Sequence, residues 1–470
     1  MSKESKLLKN TGIIALGNMC TKFISFFMLP LYTTLLSTSE YGTVDLIGTY
    51  VTLIAVILTL QFEQGLFRFL IDIREDEDKQ KKYISTAFFI VLGLCLVFSV
   101  IAMPVLLLMK YRYTFQLIIY VVGVSINAII LQIPRGLGNN TLYAAGSCIS
   151  GVSSVLLNVL FIAVLKYGVN GMLLASIISI FISSIFIAKS LRLYRYLSLK
   201  CVEKELFNNL LNYSFPLIPN TLCWWVVSAS DRIIINFFLN VGANGIYSVA
   251  CKFPSIFSMF SNMFQMAWTE SAAVNVEEEG SEGYFQKIIN QAIRFYSSCN
   301  IGIIAIMPFF FSVLIKQNFR EAYFYIPILM TGAFFHSVAD LYGSIYTAFK
   351  MTKEIAKTTL ISAMLNIAIN VMFIKFIGIY AAAISTLVAY LIIAVYRHID
   401  VQKKMKIHVS ITYILSEITA YIIVFAAYYL QNLKIQIVTL LILIPYCLWQ
   451  NQNIILGILK GIQKKIGVNR

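Results

Sequence analysis

Long uninterrupted apolar blocks, each about as long as a bilayer crossing, limit most strongly what this chain can fold into. A membrane-spanning helix needs about 20 mostly apolar residues in a row. Such blocks can be laid at 11–36, 43–67, 84–109, 114–135, 142–166, 170–191, 213–238, 244–270, 288–316, 322–349, 355–376, 379–400, 410–431 and 434–458. The fourteen blocks take up most of the 470 residues, which leaves no room for a large soluble domain. Outer-membrane barrels are excluded, because their strands are alternating segments of about ten residues. A soluble fold is excluded by composition: 59% of residues are apolar and 13% charged, against about 45–50% and about 25% in soluble domains. The expected fold class is therefore all-α: a polytopic membrane protein with 14 transmembrane helices.

The 37 Lys and Arg residues against 22 Asp and Glu give a net charge of +15. In a membrane protein this excess belongs to cytoplasmic loops, so no nucleic-acid partner is expected. With the N-terminus placed inside, 26 basic residues fall on the cytoplasmic side, among them Arg397 at the inner end of the twelfth block, and 7 fall outside. The remaining four, Lys22, Arg232, Lys252 and Arg294, lie within blocks. Both termini are expected to be cytoplasmic. The first block carries Lys22 and lacks a small-residue cleavage site, so it reads as a retained helix and not as a signal peptide. The eight cysteines contain no CxxC pair, and neither a disulfide framework nor a metal site is expected.

The chain repeats itself. A shift of 203 residues lays LLKNTG (7–12) over LLNYSF (210–215), Cys20 over Cys223, Ser25 over Ser228 and Gly42 over Gly245. Further on, LLNVLFIAVLKYGVNGMLLAS (156–176) resembles MLNIAINVMFIKFIGIYAAAIST (364–386). Each copy holds six blocks, an even number, so the two share one orientation and form a parallel repeat. The expected domains are a six-helix lobe over 1–200, a pseudo-symmetric six-helix lobe over 201–405 around a central cavity, and an extra helical hairpin with a tail over 406–470.

Ionisable residues inside a membrane are costly, and each is a site hypothesis. Lys22 is too deep in its block to snorkel easily and needs a partner or water. Asp231 and Arg232 are adjacent, point about 100° apart on a helix and cannot pair with each other. One of them is expected to face a cavity and the other a neighbouring helix. Asp45, in the second block, could hold Lys22 in an ion pair. His336 and Asp340 are spaced i, i+4 on one helix face, as a relay or a structural pair requires. Arg68 ends the second block, and Pro30 could bend the first into a hinge. No HExxH, GxSxG or Walker A motif is present, so no enzymatic site, cofactor or nucleotide is expected. Proton or sodium coupling stays open.

KNTGIIALGNMCTKFISFFMLPLYTTLLSTSEYGTVDL (9–46), QGLFRFL (64–70), SASDRIIINFFL (228–239) and ANGIYSVA (243–250) resemble the Wzx-type polysaccharide or O-antigen flippases. These belong to the multidrug/oligosaccharidyl-lipid/polysaccharide exporter superfamily. The resemblance implies alternating access of two six-helix lobes in the bacterial cytoplasmic membrane. It also implies export of undecaprenyl-diphosphate-linked oligosaccharide for capsule, exopolysaccharide or O-antigen synthesis. The cationic cavity that binds the diphosphate would draw on Lys22, Arg68, Arg232, Lys252 and Arg294. Expected partners are this cargo, membrane lipids, a polysaccharide polymerase and other assembly proteins. Blocks 13 and 14 depart from a twelve-span pattern and match the layout of lipid II flippases. A lipid II-type flippase, a multidrug/cation antiporter and, from another class, a membrane glycan polymerase stay open as alternatives. Outside loops of a few residues argue against the polymerase.

Overall fold

A computed structural model describes residues 26–276, 281–452, 454 and 456. Every regular element among them is a helix. The chain forms two compact units, Met1–Ser248 and Val249–Arg470. The first holds α1 (Leu29–Leu35), α2 (Thr38–Thr59), α3 (Phe62–Asp72), α4 (Glu77–Leu108), α5 (Thr114–Gly136), α6 (Asn140–Asn158), α7 (Gly168–Ser190), α8 (Lys204–Ser214) and α9 (Leu217–Phe238). The boundary falls inside α10 (Val241–Ala250). The second unit holds α11 (Lys252–Asn275), α12 (Ser281–Leu314), α13 (Ala322–Ala348), α14 (Thr352–Ile377), α15 (Ile379–Val401), α16 (Ile411–Leu430) and α17 (Leu433–Gln450).

Among the described residues, eleven helices are long and apolar enough to cross a membrane. They match eleven of the fourteen expected blocks. Most of the first block, 11–25, lies outside the described residues. Blocks seven and eight correspond to α9 and α11, which have 22 and 24 residues but a more polar make-up. The outer surfaces are those of a protein in lipid: Leu108 on α4 is 84% exposed and Phe376 on α14 is 82% exposed. Contiguous apolar surface of this kind marks contact with lipid or partners, not with water.

Two clusters fill the first unit. Phe62, Leu66, Leu70, Ile84, Val91, Ile133 and Leu210 join α3, α4, α5 and α8. Val44, Ile47, Val51, Val121 and Leu173 join α2, α5 and α7. In the second unit α13 is the central helix, buried along its length. It packs on α15 through small residues. Ala339, Ala381, Ala382 and Ala389 are fully buried, and a side chain added at Gly332 would meet the Leu387 backbone at 3.4 Å. Close approach through small residues is how helices associate in lipid, where the hydrophobic effect between them is absent.

Helix boundaries follow local chemistry. Ser37 and Glu40 form a capping box that starts α2, satisfying two otherwise orphan N–H groups. The second expected block is not one helix: Leu60 and Gln61 are both left-handed, with φ 49° and 57°, and α3 starts afresh after them. Two consecutive left-handed residues that are not glycine are strained. One tertiary and one local hydrogen bond hold the break. Thr221 donates to Gln61 Oε1 at 3.2 Å, and the Gln61 N–H reaches Thr59 Oγ1 at 3.4 Å. Pro30 lies in the first turn of α1, where no N–H is needed. The chain turns at Met28, just before it.

Candidate functional site

Among the described residues of the first unit, a partly buried knot of ionisable side chains joins α2, α9 and α10. Its base is a contact between two glycines. A Cβ built on Gly42 would lie 2.0 Å from the Val241 carbonyl oxygen, and one built on Gly245 would lie 2.0 Å from the Thr38 carbonyl oxygen. Both pairs obey the 203-residue shift of the repeat: 38 corresponds to 241, and 42 to 245. The contact is therefore self-complementary, as around a local two-fold axis. Asn244 adds a hydrogen bond from its amide to the Gly42 carbonyl at 2.9 Å.

One turn further along, the symmetry breaks. Asp45 faces its own repeat mate, Ser248, which donates to Asp45 Oδ2 at 2.5 Å. The same oxygen receives the Arg232 Nε–H at 2.7 Å, and both side chains of this pair are 17% exposed. Arg232 also donates through Nη1 to the Ser228 carbonyl at 2.8 Å. Asp231, 1% exposed, accepts from the Tyr247 hydroxyl at 2.7 Å. The two adjacent charges thus diverge onto different neighbours, as helix geometry requires. Among the described residues the charged partner of Asp45 is Arg232; Lys22 lies outside the described residues.

Polar contacts continue along the α2–α9 seam. Trp225 Nε1 donates to Thr52 Oγ1 at 3.1 Å, and the Thr221–Gln61 bond follows at the helix break. The seam is built on hydroxyls, amides and one ion pair, each with a discrete hydrogen-bonded partner. In a low-dielectric setting each such bond carries weight.

The other candidate residues stand elsewhere. Arg68 pairs with Asp72 on α3 at 2.6 Å, with side chains 46% and 56% exposed. Lys252 opens α11. Arg294 stacks over the Tyr413 ring at 5.1 Å, near a buried carboxylate, Glu417. Glu417 receives Ser297 Oγ–H, Tyr446 O–H at 2.8 Å and Gln450 Nε2–H at 2.7 Å. In the second unit His336 Nδ1 lies 3.5 Å from Asp340 Oδ2, and the His336 ring meets Tyr390 edge-on at 4.6 Å. Asp45, Asp231 and Arg232 are thus brought together in one unit, and His336 with Asp340 in the other.

Sequence reasoning missed Arg397, counting it among loop charges. It is 1% exposed because α15 runs on to Val401 and turns this residue inward. Its guanidinium donates to the Ala339 carbonyl at 3.0 Å and to Thr358 Oγ1 at 3.2 and 3.1 Å. A Cβ on Gly343 would come within 2.8 Å of its Nη1. The missing glycine side chain is the space the guanidinium fills, a signal that pairwise contacts reveal and a linear sequence does not.

The family model described as "Polysaccharide biosynthesis protein" matches residues 7–269, more than half of the chain and the whole of this polar knot. The chain belongs to the polysaccharide biosynthesis protein family. A curated relative, the probable low-salt glycan biosynthesis flippase Agl15 of Haloferax volcanii, is 25% identical over 202 residues, covering 40% of this chain. The chain spans 41% of that relative's length. Two solved structures share the fold. The lipid II flippase MurJ in an inward closed conformation matches with a TM-score of 0.71 at 14% identity, over 93% of this chain and 98% of that one. An inward-facing multidrug resistance MATE family transporter of the MOP superfamily matches with a TM-score of 0.66 at 12% identity, over 83% and 94%. The family member described here is thus a multi-pass membrane protein that shares its fold with the MurJ and MATE structures.

Proposed function

We propose that this protein is a flippase that moves undecaprenyl-diphosphate-linked oligosaccharide repeat units across the bacterial cytoplasmic membrane, feeding capsule, exopolysaccharide or O-antigen assembly. It works by alternating access of two six-helix lobes, 1–200 and 201–405, with 406–470 as an added hairpin and tail. Both termini are cytoplasmic, and the protein carries out no covalent step.

The observation that carries this reading is Arg232 held by Asp45, each side chain 17% exposed, within the family-matched segment. A lipid-linked diphosphate cannot cross hydrocarbon unaided, since an unpaired charge there costs several kcal/mol or more. Arginine's fork matches phosphate oxygens two at a time. A diphosphate that reaches Arg232 takes the place of Asp45, which keeps the Ser248 hydroxyl. That exchange couples cargo arrival to loosening of the α2–α9 seam. The same pairing disfavours the antiporter alternative, because a cationic drug would find Asp45 already engaged.

Lipid extracts of cells lacking this protein test the reading by mass spectrometry. Expected is a build-up of undecaprenyl-diphosphate oligosaccharide with loss of surface glycan, reversed by the wild-type protein. A normal lipid pool with altered drug sensitivity would move the protein to the antiporter class.

A further inference from the structure

The first unit contains a cavity of about 370 Å³ among α5, α6, α7 and Tyr32 of α1. Its walls are unusual for a membrane-spanning bundle. Six serines line it: Ser147, Ser150 and Ser154 from α6, and Ser176, Ser179 and Ser183 from α7. Asn127 and the aromatic rings of Tyr32, Tyr120 and Tyr143 complete the polar part, and no lining residue is charged.

Hydroxyls at these positions are costly if the space stays dry and apolar. At about 30 Å³ per molecule, the volume would hold on the order of ten waters, and it falls in the size range of small-molecule sites, about 300–1,000 Å³. The serine protons are largely spent. Ser147 donates to the Tyr143 carbonyl at 3.2 Å, Ser176 to Met172 at 3.0 Å and Ser179 to Ser176 at 2.8 Å. Ser183 reaches across to the Gly146 carbonyl on α6 at 2.8 Å. Their oxygens are left as acceptors. Next to the cavity, Asn158 clamps Ser154 through its amide nitrogen, donating to the Ser154 carbonyl at 2.7 Å. Asn158 is 2% exposed, and its Oδ1 has no hydrogen-bond partner among the described residues.

A ligand suited to these walls brings many hydrogen-bond donors, carries no charge and presents C–H faces to aromatic rings. A phosphate would find no cation there, and an ammonium no carboxylate. Hydroxyl-rich saccharide meets all three requirements. We infer that this cavity is a binding site for the uncharged sugar residues of the cargo, separate from the Asp45–Arg232 pair. The assignment rests on the flippase reading for the identity of the cargo.

The test uses the full-length protein in detergent micelles and oligosaccharides released by mild acid from the same cells' surface glycan. Saturation-transfer NMR reads contact between protein and sugar. Expected is a saturable signal in the wild type, reduced at least tenfold in Ser150→Leu and Ser154→Leu, weakened less in Ser154→Ala, which leaves the space open, and not displaced by inorganic pyrophosphate. Thermal unfolding identifies any variant that fails to fold, and the Ser154→Ala and Ser154→Leu pair then decides by volume alone. No signal in the wild type, an equal signal in both leucine variants, or displacement by pyrophosphate would overturn the assignment. These outcomes are separate from the flippase test. Lost sugar contact with lipid-linked precursor still accumulating in deletion cells removes only the sugar site; intact sugar contact with a normal lipid pool removes only the flippase.

Discussion

Replacing both halves of the Asp45–Arg232 pair separates its structural role from its proposed role toward cargo. The pair is 2.7 Å apart and each side chain is 17% exposed, so water screens it little. At an effective dielectric of about 20, unit charges 4 Å apart attract by about 4 kcal/mol. Removing one partner of a buried pair costs about 3–5 kcal/mol, because the other charge is left uncompensated. Arg232→Met takes the guanidinium from Asp45, and Asp45→Leu takes the carboxylate from Arg232. Each single variant should therefore lose most of this amount. At about 2–4 °C per kcal/mol for a body of 150–250 residues, that is roughly 6–20 °C in Tm. The double variant, two apolar residues of similar volume, should return to within about 1 kcal/mol of wild type. Its thermal stability is read in detergent by intrinsic fluorescence, and its transport by surface glycan in complemented deletion cells. Expected is a stable double variant that exports nothing. Losses that add in the double variant would refute the energetic reasoning, and full export by the stable double variant would refute the cargo role of Arg232.

Gly245→Ala places a methyl group 2.0 Å from the Thr38 carbonyl oxygen; α2 and α10 must separate, and a loss of about 1–3 kcal/mol or more is expected in thermal unfolding, where no change would argue against the glycine contact. Arg397→Lys should fail to restore what Arg397→Ala loses, about 1.5–3 kcal/mol for its charged hydrogen bonds, because a point charge cannot reach both Ala339 and Thr358 as the planar fork does; equal stability of Arg397→Lys and wild type would contradict this. A cysteine placed at Lys316 should react with a membrane-impermeant maleimide on intact cells, and one at Lys81 only after permeabilisation; the reverse order would invert the orientation.

The class of fold was legible because apolar blocks of bilayer length are a constraint written residue by residue. The 203-residue shift lays Gly42 over Gly245, and in the structure these two glycines meet. The break at Leu60–Gln61 was not legible, since it contains neither Gly nor Pro and depends on contacts with α9. Among the charges, local geometry predicted that Asp231 and Arg232 would diverge, but only packing across 187 residues of chain chooses Asp45 as the partner of Arg232. Arg397 escaped because a charge near the end of an apolar block reads as the start of a cytoplasmic loop, while the helical path of α15 turns this residue into the core. The serine-lined cavity escaped for a similar reason: serines spaced along α6 and α7 read as ordinary small residues until the two helices face each other.

Translocation itself is measured most directly in vesicles. The purified protein is reconstituted with labelled lipid-linked oligosaccharide extracted from the deletion cells, with and without an imposed proton or sodium gradient. Membrane-impermeant periodate then oxidises the sugars exposed outside. Expected is oxidation of nearly the whole pool with the wild-type protein under at least one condition, and of the outer leaflet's share alone with Arg232→Ala. A wild-type preparation that leaves the inner leaflet's sugars as protected as protein-free vesicles do, under every gradient, would contradict the claim that this protein is a flippase.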